Sequence, residues 1–285
     1  MTRIGKAPER PKLKAKPTPN ITAFMITHIP YVAGYYKHMP EITRASMESM
    51  KQGAVDGDLA YDFMVWDNGS CNDWTTYLLH LKDAGYINTL VLTENVGKCE
   101  AMKRGFEMIE SDLVAYTDDD VLFYDGWLKK QKELLIASGA VLVGGWPVLS
   151  LFRHFPHQQD RIRDMLHKEE FPEEYTKSHC TNVGLSLEDY FKVHGRDECL
   201  VGEAGGLKFY AHGHHMQFLG HRKDILLSYP EHCEERLMGM MREVNNNIDE
   251  AGGLQLTTYP LTCRHMGNNL DKDTMVELAV LEVNV

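Results

Sequence analysis

The sequence has no run near the ~18 consecutive apolar residues that a membrane-spanning helix needs, so no spanning segment is expected. Cysteine is sparse and scattered: Cys71, Cys99, Cys180, Cys199, Cys233 and Cys263 include no CxxC pair. That spacing counts against a zinc ribbon or a dense disulfide scaffold, and a reducing cytoplasm is the simpler expectation. Basic charge is also in short supply. Lys and Arg total 30 against 41 Asp and Glu, a formal charge of −11, which argues against a surface that wraps nucleic acid. No internal repeat is visible. Nor does a glycine-rich basic loop follow the first strand-like segment, as a nucleotidyltransferase would require.

What is present is ordinary globular material: 285 residues, 43% hydrophobic and 25% charged, enough for a large core and too apolar for disorder. Residues 1–20 are basic and proline-rich, with Arg3, Lys6, Arg10, Lys12, Lys14 and Lys16 against Glu9 alone. They read as a disordered cationic arm rather than a secretory signal. From Ile21 onward short apolar runs alternate with helical patterns. Strands are expected at Ile21–Ile26, Tyr61–Trp66, Ile87–Leu92, Leu113–Thr117 and Ala140–Gly144. Helices are expected at Pro40–Gln52, Asp73–Ala84, Lys98–Ile109 and Gly126–Ala137. This alternation means βαβ units, an α/β class and a mostly parallel sheet flanked by helices. Ligands of such sheets gather at the strands' carboxyl ends, where Thr27, Asp67, Asn95 and three aspartates fall.

Beyond residue 145 the pattern loosens. A helix is expected near Gln159–Lys168, another over Glu234–Ala251, a strand at Leu254–Thr258 and an apolar stretch at Tyr259–Cys263. The division that follows is an arm (1–20), a regular strand–helix half (21–145), a looser half of the same domain (146–269) and a tail (270–285). Four histidines, His212, His214, His215 and His221, crowd one segment but fit no established ligand spacing.

Asp118-Asp119-Asp120, directly after an apolar strand, is the sharpest chemical signal. Adjacent carboxylates repel, and burying them is costly without a counter-charge. A hard divalent cation, Mg²⁺ or Mn²⁺, relieves that repulsion and suits oxygen ligands. Strand alternation would aim Asp118 and Asp120 to one side and Asp119 elsewhere. An acidic turn capping the next helix is the plainer alternative.

The neighbouring residues favour the metal. VAYTDDDVLFYDGWL resembles the DxD segment of glycosyltransferase family 2. FMVWDNGSCND resembles that family's second-strand motif, TENVGKCEAMKRGFE its Asn-x-Gly segment, and AGGLQLTTYPLTCRHMGNN its closing segment. The resemblance implies a GT-A fold with an acceptor-binding C-terminal part, a UDP-type nucleotide-sugar donor, and transfer to an acceptor hydroxyl with inversion. It implies Asp118 and Asp120 as metal ligands, and His265 as a third ligand or a pyrophosphate contact. It implies Thr27 and His28 beside the base or ribose, Asp67 on the base edge, Asn95, Gly97 and Lys98 around the nucleotide, and Asp119 at the ribose or sugar. The family's usual Pro-Thr-Tyr-Asn after strand one is missing here. GHRKDILL resembles the family's Arg-Arg segment on the acceptor side, which implies Arg222 and Lys223 at the diphosphate or the acceptor; an exposed charged helix start is the plainer alternative.

The general base is less legible, because no Glu-Asp pair precedes the Ala-Gly helix end. Glu243 is the nearest match, and Glu234 with Glu235 form an earlier carboxylate pair. The acceptor can be a glycan, a protein, a small molecule or a polyanion such as modified DNA. A nucleotidyltransferase and a catalytically silent nucleotide-sugar-binding protein are the rival readings.

Overall fold

A computed structural model describes residues 20–54, 61–147, 155–170, 180, 186–194, 198–211, 216–231, 239–268 and 275. The first half builds a parallel block. Strands β1 (Ile21–Thr27), β2 (Asp62–Asn68), β3 (Thr89–Thr93) and β4 (Leu113–Thr117) stand in the order β3-β2-β1-β4. They are joined by helices α1 (Met39–Gly53), α2 (Asn72–Asp83) and α3 (Lys98–Met108). In β1, Ile21, Ala23 and Met25 enter one core with Phe63, Val65 and Ala115. Phe24 and Ile26 enter a second core on the other face, with Met64, Trp66, Val114 and Tyr116. A sheet covered on both faces needs strands that are apolar throughout, and that is why these were readable as runs.

Helix α3 closes on β1 through Gly105. A Cβ added there would run into the Phe24 ring, itself fully buried between Phe106 and Tyr116. Gly105→Val is therefore expected to cost about 2–3 kcal/mol by overpacking, lowering the thermal midpoint by roughly 3–5 °C. Calorimetry checks it.

After the aspartates come β5 (Val121–Phe123), α4 (Trp127–Ser138) and β6 (Leu142–Gly144), then α5 (Pro156–Ile162) and β7 (His167–Glu170). They are followed by α6 (Leu187–His194), β8 (Glu198–Ala204), β9 (Leu207–Tyr210), β10 (Gln217–His221), α7 (Arg222–Ser228), α8 (Gly239–Glu250), β11 (Gln255–Thr258) and β12 (Cys263–His265). Among the described residues the main sheet has ten strands in the order β3-β2-β1-β4-β10-β6-β11-β9-β8-β7, and β12 pairs with β5 apart from it. β10 runs antiparallel between β4 and β6, so a strand from the histidine-rich stretch welds the two halves of the chain into one sheet. A buried amide pair locks this seam: Gln131 Nε2 donates to Gln217 Oε1 (2.8 Å), and Gln217 Nε2 donates back to Gln131 Oε1 (2.9 Å).

One expectation for the second half is corrected. In place of one helix over 159–168, α5 starts at Pro156 and stops at Ile162, and the chain then turns into β7. Its start is fixed from afar, because the Asp249 carboxylate accepts from the N–H groups of His157 (3.2 Å) and Gln158 (2.7 Å). After β11 the Tyr259–Pro260 bond is cis, and pairing resumes at Cys263, opposite Phe123. Among the described residues no helix is long and apolar enough to cross a membrane. Every cysteine among them is free of disulfides.

Candidate active site

A cavity of about 780 Å³ opens where β1, β2, β3 and β4 end, and His28, Tyr36, Asn68, Asn95, Lys98, Asn268 and all three aspartates line it. The parallel register brings these strand ends level, with Thr27 opposite Asp67 and Asn68 opposite Thr93.

At one end the chain builds a cradle of amides. After β2 it turns at Gly69, whose φ is +80°; a Cβ there would meet the Asn95 N at 2.7 Å. That close approach lets Asn68 Oδ1 accept from the Val96 N–H (2.9 Å) while its Nδ2 donates to Asn95 Oδ1 (3.2 Å). The His28 Nδ1 lies 2.8 Å from the Asn68 carbonyl. A carbonyl only accepts, so Nδ1 carries hydrogen and Nε2 of the neutral ring is an acceptor, 3.4 Å from Asn95 Nδ2. Over this cradle stands the Tyr36 ring, edge-on to His28, Tyr31 and Tyr35. Tyr31 and Tyr35 themselves are exposed.

Asp67 belongs to the scaffold beneath. It is 2% exposed; its Oδ1 accepts from the Thr27 hydroxyl (3.1 Å) and its Oδ2 from the Ser70 N–H (3.2 Å). The Trp74 indole N–H donates to Thr27 in turn (3.3 Å). Both side chains spend their polar atoms on this buried network, and neither is among the residues that line the cavity. Asp67→Ala is expected to cost about 2–4 kcal/mol, because it strands two buried donors. Chemical denaturation measures that loss.

The acidic end follows from where β4 stops. The strand ends at Thr117, and 118–120 turn toward β5. Strand alternation therefore does not extend through the triplet, and Asp119 lines the cavity together with its neighbours. Asp118 Oδ1 accepts from Lys98 Nζ and from the Tyr116 hydroxyl, each at 2.6 Å. Pairing of β12 with β5 sets His265 opposite Val121, and His265 Nε2 lies 2.8 Å from Asp120 Oδ2. The other oxygen, Asp120 Oδ1, is buried with no hydrogen-bond partner.

These charges shift one another. Burial, then repulsion from Asp120 and Asp118, pushes the Asp119 carboxyl up to about 8. Burial would raise Asp120 too, but His265 and Lys98 outweigh it and hold its carboxyl below the usual range. Burial works to lower Lys98, yet attraction to Asp118 and the other two aspartates leaves the ammonium raised. His265 is likewise lowered by burial and raised, on balance, by Asp120.

A divalent cation fits this donor set. Three clustered carboxylates leave an unpartnered buried oxygen and one carboxyl forced toward its neutral form, and a hard cation relieves both strains. Among the described residues no group of three His, Cys, Asp or Glu side chains is already arranged to hold a metal; Asp118 and Asp120 face Lys98 and His265 instead.

The fold brings His28, Asn95, Gly97, Lys98, Asp118, Asp119 and Asp120 to one cavity, with His265 touching Asp120. Arg222 is a correction. Its N–H donates to the Asp112 carbonyl (2.9 Å), at the amino end of β4, roughly 20 Å along the strand from Asp118 at ~3.3 Å per residue. Antiparallel β10 delivers it there. Glu243 is exposed on α8 and does not line the cavity, and Glu234 and Glu235 lie outside the described residues. Sequence reasoning missed Tyr35, Tyr36 and Asn268. Two adjacent tyrosines between β1 and α1, and the two asparagines after Gly267, were the available signals.

Residues 40–197, more than half of the chain, match the pattern described as Glycosyl transferase family 2. No curated protein matches. Among solved structures, S. aureus TarS 1-349 is 9% identical with a TM-score of 0.49, covering 93% of this chain and 66% of that one. Glucosyl-3-phosphoglycerate synthase from Mycobacterium tuberculosis, in complex with Mn²⁺, UDP and glucosyl-3-phosphoglycerate, is 13% identical at 0.47, covering 93% and 81%. The mannosyltransferase PcManGT from Pyrobaculum calidifontis, in complex with GDP-Man and Mn²⁺, is 16% identical at 0.36, covering 47% and 37%. This chain thus spans just under two thirds of TarS 1-349 and 37% of the mannosyltransferase.

Proposed function

We propose, from the premise that this chain belongs to glycosyl transferase family 2, that it moves a sugar from a nucleoside-diphosphate donor of the UDP type to an acceptor hydroxyl, with inversion. The observation that carries the reading is the aspartate triplet at the cavity, with Asp120 Oδ1 buried and unpartnered. Asp118 and Asp120 would hold Mn²⁺ or Mg²⁺, and His265, in contact with Asp120, is the third proposed ligand. When bound, the cation supplies Lewis-acid stabilisation of the charge that develops on the departing diphosphate.

The protein's own groups do the remainder. The base lies in the amide cradle, where His28 Nε2 accepts and Asn95 Nδ2 donates, with the Tyr36 ring as a wall. Lys98 and the amino end of α3 add positive charge on the diphosphate side. Asp119 is proposed at the ribose or sugar. Holding donor and acceptor together in a cavity supplies the proximity term. Because Glu243 points to solvent away from the cavity, Glu234 and Glu235 are the carboxylates proposed to take the acceptor's proton.

Donor hydrolysis tests the class without knowing the acceptor. UDP-, GDP- and CDP-sugars are incubated with the protein, and release of the nucleotide is followed with Mn²⁺ and with EDTA. Release from the UDP-sugars that EDTA abolishes is the expected result. No release from any donor with Mn²⁺ present would count against the reading.

A further inference from the structure

The main sheet ends in two edge strands of opposite character. β7 reads His167-Lys168-Glu169-Glu170, a charged composition that keeps an open edge from pairing. β3 reads Thr89-Leu90-Val91-Leu92-Thr93, with neither charge nor proline to guard it. Thr89 and Leu92 are exposed, Leu92 by 43%. The Asn88 N–H donates to the Phe63 carbonyl on β2 (2.8 Å). Phe63 thus turns both its backbone groups toward β3. In the parallel register Val65 and Asp67 do the same and take the backbone groups of Thr89, Val91 and Thr93, which leaves those of Leu90 and Leu92 directed away from β2. Among the described residues no strand lies on that side.

The five residues read the same in both directions. A two-fold axis at Val91, perpendicular to the sheet, sets Leu90 against a second copy's Leu92 and Thr89 against its Thr93. The outward backbone groups then fall into antiparallel register. One residue further out, Asn88 meets the second copy's Glu94. Lys82 waits there, its Nζ donating to the Asn88 carbonyl (2.9 Å). Lys82 and Glu94 are both exposed, so the pairing closes with opposite charges at each end, twice by symmetry. Leu79, one turn before Lys82 on α2 and 44% exposed, extends the apolar part of the same edge.

We infer that β3 is a self-recognition edge: two copies of this chain pair antiparallel through Thr89–Thr93 and join their sheets into one. The seam ends beside Asn95 and Gly97, so each cavity lies next to it. This inference rests on the edge alone and is independent of the sugar-transfer reading.

Sedimentation of the full chain from micromolar to near-millimolar concentration tests it. A species of twice 32.6 kDa is expected. Leu92→Lys, a guard on the exposed edge, should weaken the dimer roughly tenfold or more. Glu94→Lys should weaken it by setting Lys against Lys, and Lys82→Glu/Glu94→Lys should restore it. Circular dichroism verifies that each variant is folded, and Glu94, being exposed, keeps the test valid should Leu92→Lys not fold. A monomer throughout, a dimer indifferent to both single changes, or a charge swap that restores nothing would overturn the proposal.

Discussion

Replacing Asp118 and Asp120 together with asparagine is expected to lower donor turnover by roughly 10³-fold or more, while the protein stays folded. The loss follows if these oxygens carry the cation that stabilises the departing diphosphate, a contribution worth several kcal/mol. The stability follows from the repulsion visible at Asp119, whose carboxyl is pushed up to about 8 by burial and by its two neighbours. Asparagine keeps the shape of each side chain and removes the charge, so the cost of crowding carboxylates disappears. Hydrogen bonds from Lys98, Tyr116 and His265 retain oxygen acceptors. Turnover and calorimetry on the same samples separate the two effects. A merely structural acidic turn would give the opposite split, with folding perturbed and turnover kept.

Changing Glu234 and Glu235 together to glutamine is expected to reduce transfer by roughly 10²–10⁴-fold, the usual worth of a positioned general base. Donor binding should stay unchanged, because a general base acts on the acceptor's proton and not on the donor. Glu243→Gln should leave transfer near wild type, since Glu243 is exposed on α8 away from the cavity. The reverse pattern, with Glu243 essential and the pair dispensable, would assign the proton transfer to α8 instead. Measuring kcat apart from KM keeps a binding defect from being taken for a chemical one.

The amino-terminal half was legible because its physics is local. Strands buried on both faces must be apolar along their whole length, and β1 and β4 meet that demand with ITAFMIT and LVAYT. The helices between them carry their own apolar stripes, so their existence and most of their bounds followed. The second half was less readable because its elements depend on distant partners. α5 begins where Asp249, far along the chain, accepts two of its N–H groups. β10 is only five residues, QFLGH, and has meaning only between β4 and β6.

The site divides along the same line. Asp118, Asp119 and Asp120 were visible as chemistry in the sequence, Asn95 by its place after a strand, and Lys98 only through the resemblance of its segment. Side-chain direction was not visible. Asp67 and Thr27 stand at the right strand ends but spend their polar atoms on each other, on Ser70 and on Trp74. Arg222 follows a strand that runs the opposite way to β4, and nothing in the local pattern of GHRKDILL encodes that reversal. Tyr36 reaches the cavity from a connecting segment, where periodicity offers no guide.

Isothermal titration of the protein with UDP, GDP and CDP, with and without Mn²⁺, tests the central claim most directly when Asp118→Asn/Asp120→Asn is run beside the wild type. The account predicts UDP binding that requires Mn²⁺ and disappears in the double variant. Nucleotide binding that ignores Mn²⁺ and survives the double variant, or no binding of any nucleotide with Mn²⁺ present, would contradict it and leave the aspartate triplet an acidic turn.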